Sequence, residues 1–316
     1  MLKFFKKTAL FFFTILALNA CEEPANNKTP TSPPEVEVKP PAPQSLQKDC
    51  EIKGAILKGN RKLVKERNTL VCIVADDSVK DKRGKNSHRI LEIYNTNTCK
   101  LIKREVLPEN ISSDFPYQIA DIIYNNNSHL VAIKGYGEIY CYDVEHHTLL
   151  QPMIPSFLSE RIAADAQSGS IKHLEVWENY LIGYAEDIGA FVFDMTDTQH
   201  PKPLLPAAEY DLSDGEGEDF ASLFFLKSEN GNTFQAIAPD YDYDENKFQV
   251  NALFETPKNM NISIPKNVKN NRFIVLNIKD KGTFVVDMEN RKNINLPKKM
   301  KNKTTKEILN WLKKNQ

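Results

Sequence analysis

Several chemistries have no foothold in this sequence. Its five cysteines are too few to staple a small disulfide framework, and none stands at C-x-x-C or zinc-ligand spacing. A structural zinc site and thiol–disulfide exchange therefore both lack a motif. Twelve glycines and 18 prolines in 316 residues exclude a collagen-like or wholly low-complexity chain. No excess of charge of one sign exists either. The 41 Lys+Arg face 42 Asp+Glu, which excludes a generic polyanion binder and argues against nucleic acid as a partner. G-x-S-x-G, H-E-x-x-H, a P-loop and the dinucleotide glycine fingerprint are absent. The histidines (His88, His129, His146, His147, His173 and His200) are scattered, and no cofactor is expected. What is there is 41% hydrophobic residues, enough to build a core and to exclude a wholly disordered chain.

Residues 1–20 read as a targeting segment and leave the fold argument. Lys3, Lys6 and Lys7 form a basic start, followed by an uncharged apolar run from Thr8 to Leu18. At about 1.5 Å per helical residue this run is too short to span a hydrocarbon core of about 30 Å. It ends in Leu18-Asn19-Ala20-Cys21. That tetrad resembles the lipobox of bacterial lipoproteins, with an aliphatic residue, a small residue and an obligatory cysteine. The resemblance implies that Cys21 carries a diacylglyceryl group, that the signal is cleaved before it, and that its new amine is acylated. Two or three acyl chains, at about 0.8 kcal/mol per buried methylene, make a near-permanent membrane anchor. Glu22 follows the cysteine, which by the same resemblance favours the outer membrane of the cell envelope. Loss of the three leader lysines raises the acidic excess from one to four.

Residues 21–48 continue as a lipidated cysteine and a tether. Pro24, Pro30, Pro33, Pro34, Pro40, Pro41 and Pro43 sit among Glu, Lys, Asn, Thr and Ser. Such a segment buries too little apolar area to offset its ordering entropy, so an extended spacer several nanometres long is expected.

The body, residues 49–300, has few helix signals and many short runs of Val, Ile, Tyr and Phe broken by Asn, Asp, Gly and Pro, which argues an all-β fold. It also repeats. HLVAIKGYGEIYCY-Asp143, YLIGYAEDIGAFVF-Asp194 and RFIVLNIKDKGTFVV-Asp287 each run on to a proline (Pro152, Pro206, Pro297), and a weaker copy ends at Asn95 and Pro108 after an inserted basic loop. The spacing is 48 residues from Asn95 to Asp143, 51 to Asp194, and 93 to Asp287, which is two periods. The skipped unit belongs near residue 241, where FQAIAPDYDYDENKFQVNALF places two strand-like runs around an acidic hairpin tip. The repeated Asp or Asn is expected to cap a turn through its side chain.

A period in the forties with three or four short strands is the β-propeller pattern, and five units of about 48 residues fill the body. A two-sheet sandwich leaves the self-similarity unexplained. The copy GAFVFDMTDTQHPKPLLP (189–206) resembles the LVIVD-type propeller repeat; two other copies match in part and the fourth departs from it.

Four cysteines remain in the body, and an exported chain meets an oxidising compartment. Cys50 with Cys99 is the favoured pair, joining the domain entrance to a turn of the first repeat; Cys72 and Cys141 sit inside strands. The acidic run 209–219 (Glu209, Asp211, Asp214, Glu216, Glu218, Asp219) reads as a solvated loop, with a cation site as the functional alternative. Asp240, Asp242 and Asp244 alternate like the start of a calcium loop, but Glu245 and Asn251 stand where an EF-hand needs Gly and Glu. They are retained as a possible cation site, with a plain hairpin tip as the alternative, and no metal is assigned.

After Met300 the pattern turns helical. Thr304-x-x-Glu307 is a capping box, and Ile308, Leu309, Trp311 and Leu312 share one side of a basic helix over 301–316. Packing of that side on the last repeat is expected, since about ten residues are marginal as a free helix.

The function that follows is a monomeric, membrane-tethered lipoprotein whose propeller binds or scaffolds an envelope protein or glycan without catalysis. The alternative is a glycan-active hydrolase using channel carboxylates, for which Asp121, Asp165 and Glu175 are the candidates.

Overall fold

A computed structural model describes residue 50 and residues 52–85, 87–109, 116–125, 128–155, 170–186, 189–212, 220–228, 231–257, 271–278 and 282–315. The expected leader, Cys21 and tether lie outside these residues, as do Asp165 and, within the acidic run, Asp214, Glu216, Glu218 and Asp219.

The described body is all-β with one short helix at its C-terminal end. Its strands form five antiparallel sheets, each built from strands consecutive in sequence. Sheet 1 holds β1 (Ala55–Val64), β2 (Thr69–Ala75), β3 (Ile90–Asn95) and β4 (Lys100–Val106). Sheet 2 holds β5 (Gln118–Asn125), β6 (Ser128–Lys134), β7 (Ile139–Asp143) and β8 (Thr148–Leu149). Sheet 3 holds β9 (Ile171–Trp177), β10 (Tyr180–Ala185), β11 (Gly189–Asp194) and β12 (Lys202–Pro203). Sheet 4 holds β13 (Ala208–Asp211), β14 (Phe220–Lys227), β15 (Thr233–Asp242) and β16 (Lys247–Pro257), and sheet 5 holds β17 (Phe273–Ile278), β18 (Gly282–Asp287) and β19 (Lys292–Ile294).

The penultimate strand of every sheet ends on the repeated Asp or Asn: Asn95, Asp143, Asp194, Asp242 and Asp287. The skipped unit thus falls at Asp242, one residue from its expected place. In each case the side-chain oxygen accepts hydrogen bonds from backbone N–H groups of the turn that follows: Asn97 and Thr98 at Asn95, Glu145 and His146 at Asp143, Thr196 at Asp194, Asp244 and Glu245 at Asp242, and Asn290 at Asp287. The carboxylate or amide oxygen takes the place of a backbone carbonyl, so the chain reverses with these turn N–H groups paired.

Central strands read as nearly continuous apolar runs because both their faces are covered. In β6, Val131 and Ile133 pack with Ile73 and Leu91 of sheet 1, while Leu130 and Ala132 pack with Ile171 and Leu181 of sheet 3. The same alternation joins sheet 3 to sheet 4 through Tyr180, Ile182, Tyr184, Phe224 and Ile237, and sheet 4 to sheet 5 through Leu223, Phe254, Leu276 and Val286. The two ends of this series have covers of their own. Cys72, Val74 and Ile90 of sheet 1 lie under Ile52 and Val79. Val285, Phe273 and Val275 of sheet 5 lie under the helix α1 (Thr305–Asn315), whose Ile308 and Leu312 are fully buried. Among the described residues no core cluster draws on both sheet 1 and sheet 5.

The helix starts as its sequence requires. The Glu307 carboxylate accepts from the Thr304 N–H (2.9 Å) and hydroxyl (2.8 Å), and the Glu307 N–H donates back to Thr304 Oγ1 (3.3 Å). Cys50 and Cys99 form a disulfide with their Cα atoms 4.9 Å apart, and Cys99 holds a left-handed turn position at φ 52°. Cys72 and Cys141 are buried free thiols, each pushed up to about 12 by burial, Cys72 with help from the Glu92 carboxylate. No helix among the described residues is long and apolar enough to cross a membrane.

Candidate functional site

The first strands of sheets 1 to 3 lie side by side, β1 against β5 and β5 against β9. Each carries a register irregularity: between Ile56 and Arg61 in β1, between Ile119 and Ile122 in β5, and at Lys172 in β9. A bulge of this kind bends its strand and re-aims the neighbouring side chains. The buried Asn60 of β1 pins the start of β5: its Nδ2 donates to the Tyr117 carbonyl (2.8 Å) and its Oδ1 accepts from the Ile119 N–H (3.0 Å). In β9 the bulge turns the Lys172 carbonyl to the Lys134 ammonium at the end of β6 (3.0 Å).

Where β5 meets β9 these distortions leave a half-open cleft of about 210 Å³, lined by Gln118, Ile119, Ala120, Lys134, His173 and Leu174. Burial, with the nearby positive charge of Lys172, lowers the Lys134 ammonium to about 8. The Lys172 side chain itself pairs with Glu186 (3.0 Å), and His173 Nε2 lies 3.5 Å from the Glu175 carboxylate.

One wall of the cleft is backed by aromatics from sheet 4. The strands β15 and β16 run to 10 and 11 residues, longer than most strands here, and their hairpin reaches sheet 3. Phe248 stacks on His173 with ring centroids 4.7 Å apart and planes 21° apart. Tyr184, directly across the ladder from His173, stacks on Tyr241 at 5.3 Å, and Tyr243 meets both tyrosines edge-on. Offset stacking of this kind fixes ring orientation beyond what area burial alone supplies.

The residues singled out from the sequence do not meet at this cleft as one group. Asp121 of β5 is held by Lys62 of β1 (2.7 Å), and Glu175 faces His173. Asp240 pairs with Arg291 (3.0 Å), Asp242 caps its turn, and Asp244 is exposed at the hairpin tip. Among the described residues no three His, Cys, Asp or Glu side chains are placed to hold a metal ion. Of the acidic run, Glu209 and Asp211 lie on β13. Sequence reasoning did not single out Gln118 or Lys134, and took His173 as one of several scattered histidines; nothing short-range marks them, because the cleft exists only through the packing of β5 on β9.

No protein-family model and no curated protein matches the chain. Among solved structures, it is similar to a chain in a crystal structure of the mitotic checkpoint complex (13% identity, TM-score 0.30), covering 88% of this chain and 75% of that one. A crystal structure of the computationally designed Ika4 protein is 14% identical with a TM-score of 0.33, covering 63% of this chain and 92% of that one. A structure of U3-55K is 6% identical with a TM-score of 0.30, covering 75% of this chain and 65% of that one.

Proposed function

We propose that this chain is a bacterial envelope lipoprotein, anchored through acyl chains on Cys21 and presenting a five-bladed β-propeller as a non-enzymatic binding or scaffolding module. The observation that carries the fold part of this reading is the recurrence of one unit: five consecutive meander sheets whose penultimate strands end at 95, 143, 194, 242 and 287. Each sheet is then a blade, and among the described residues the first blade packs under Ile52 and Val79 and the last under α1. The anchor rests on the lipobox-like LNAC and the basic leader before it. An outer-membrane site follows from Glu22, and residues 22–48 hold the module away from the bilayer.

Binding is favoured over hydrolysis by the occupation of the two described candidate carboxylates, Asp121 by Lys62 and Glu175 by His173. A glycosidase needs two carboxyl groups facing each other about 5 to 10 Å apart across the substrate. The test is mass spectrometry of the chain extracted from the envelope of a producing bacterium, together with a glycan-release assay on the same material. An N-terminus at Cys21 carrying diacylglyceryl and amide-linked acyl groups, with no release of sugar from envelope glycans, is expected. An unprocessed N-terminus overturns the anchor, and catalytic sugar release overturns the binding reading.

A further inference from the structure

The near-balance of charge over the whole chain conceals a segregation. Residues 291–316 carry nine Lys and Arg against one acidic residue, Glu307, an excess of eight positive charges. Residues 21–290 carry 29 basic against 41 acidic residues, an excess of twelve negative ones. Some C-terminal cations are matched: Arg291 pairs with Asp240 of sheet 4, and Lys303 with Glu307. The carboxylates just before them, Asp287 and Glu289, are taken by Arg272. Lys298, Lys299, Lys301, Lys306, Lys313 and Lys314 are exposed and form no ion pair among the described residues. The neighbouring strand β16 adds one exposed carboxylate, Glu255, so the six lysines leave a clear positive excess.

The fold keeps these lysines outward. Met300, Ile308 and Leu312 turn into one core with Val285 of sheet 5. At about 3.6 residues per turn, Lys306, Lys313 and Lys314 then fall on the side of α1 away from Ile308 and Leu312. No large apolar side chain is exposed among the described residues of 282–315. The surface thus lacks the apolar anchor on which a protein interface centres, and suits a plane of charged headgroups.

We propose that this lysine surface docks the domain on an anionic phospholipid bilayer, the one that holds the acyl chains of Cys21. The inference rests on the lipoprotein reading and adds an orientation to it. The apolar side of α1 is spent on sheet 5, so the contact is electrostatic and nothing inserts. Each lysine brought to an anionic headgroup plane strengthens such a contact about fivefold. The same headgroups repel the acidic remainder of the chain, so the C-terminal end is the one that approaches. Residues 22–48 keep the domain near the bilayer at an effective concentration on the order of millimolar, where a weak contact is populated.

The test is lysine footprinting of the full-length chain by trace acetylation with acetic anhydride, read lysine by lysine by peptide mass spectrometry. Labelling is compared with vesicles of phosphatidylcholine alone and of phosphatidylcholine mixed with phosphatidylglycerol. The expected result is several-fold slower labelling of Lys306, Lys313 and Lys314 on the anionic vesicles only, abolished by high salt. The exposed Lys100 and Lys202 should label alike on both. In the K306Q/K313Q/K314Q variant, docking should weaken on the order of a hundredfold, read as lost protection of Lys298, Lys299 and Lys301. Equal labelling on the two vesicles, or undiminished protection in the variant, overturns the surface. Equal protection by dissolved polyphosphate at the same phosphate concentration overturns the bilayer as its partner. These outcomes are separate from failure of the lipoprotein reading, which is decided at Cys21, because the two vesicles differ only in headgroup charge.

Discussion

Asp143, Asp194 and Asp287 occupy one position of the repeat, yet their surroundings differ, and substituting each by alanine separates a turn residue from a buried charge. Asp287 is fully buried. Its Oδ1 accepts from Arg272 Nε (3.0 Å) and the Asn290 N–H (3.2 Å), and its Oδ2 accepts from Arg272 Nη2 (2.9 Å) and Asn290 Nδ2 (2.7 Å). Burial alone would raise this carboxyl, but the hydrogen bonds and charge of Arg272, together with Asn290, outweigh it and hold it below the ordinary value. Breaking a buried pair by removing one partner costs about 3–5 kcal/mol. Arg272 retains Glu289 (2.6 Å), so D287A belongs near the lower end, about 3 kcal/mol. Asp143 is equally buried but faces an exposed His146 and a long 3.3 Å contact from Gln199, so D143A should cost about 2 kcal/mol. Asp194 is only partly buried and accepts from the Thr196 N–H, so D194A should cost about 1 kcal/mol or less. Urea midpoints at constant slope measure all three. The pH dependence follows in sign: the Asp287 contribution is complete above the unfolded carboxyl value near ~3.9 and is lost as pH falls through the lower folded value. The acid limb of D287A should therefore be flatter than that of the native chain. Equal losses for the three variants would refute the reasoning, since they would mean that the turn geometry, not burial of the ion pair, sets the cost.

The disulfide closes a loop with a sequence separation of 49, for which chain entropy alone is worth about 4 kcal/mol; the C50A/C99A chain should unfold at correspondingly lower denaturant, and an unchanged midpoint would count against the staple. Gly183 lies under the Phe191 ring, and an added Cβ would stand 2.3 Å from Phe191 Cζ and 2.7 Å from the His173 carbonyl oxygen. G183A should therefore cost about 1–3 kcal/mol and disturb the β9–β10 pairing, visible as faster amide exchange over 171–185. Replacing the fully buried Ile308 by alanine should remove about 2–4 kcal/mol of packing and release α1, so that trypsin cuts at Lys303 and Lys306 in I308A while the native chain resists. Both free thiols should ignore a neutral-pH thiol reagent in the native chain and react only on unfolding; native-state labelling of Cys72 or Cys141 would contradict their burial and raised thiol values.

The repeat could be read from the chain because each unit is a local object: two strands, a tight turn and an Asx turn lie within about 30 consecutive residues, and their hydrogen bonds join neighbours. The glycine that opens the penultimate strand shows this. Gly189 and Gly282 open their strands at φ 81° and 104°, a region that penalises a Cβ, so the residue type announces the turn. The capping box was legible for the same reason, since Thr304 and Glu307 bond to each other within one helical turn. The disulfide was a choice among three pairings, and the two cysteines inside strands were the ones to stay apart. The three alternating aspartates at 240–244 show where local pattern misleads. Their spacing suggests convergence, and strand alternation does put Asp240 and Asp242 on one face of β15, but Asp240 is taken by Arg291 of the next unit, Asp242 caps its own turn and Asp244 is exposed at the hairpin tip.

Strand period, turn positions, the C-terminal helix and its cap are thus written in residues close together along the chain, where backbone stereochemistry and hydrogen bonding act at short range. What depended on tertiary packing is everything that joins distant units: that Asp287 and not Asp194 is locked in an ion pair, that Phe248 lies flat on His173, and that Lys134 from β6 faces a carbonyl of β9. Lys134 and His173 are 39 positions apart in sequence, and each taken alone is an unremarked polar residue near a strand end. Desolvation and proximity come from the stacking of whole sheets, a sum over many apolar contacts that no single motif encodes.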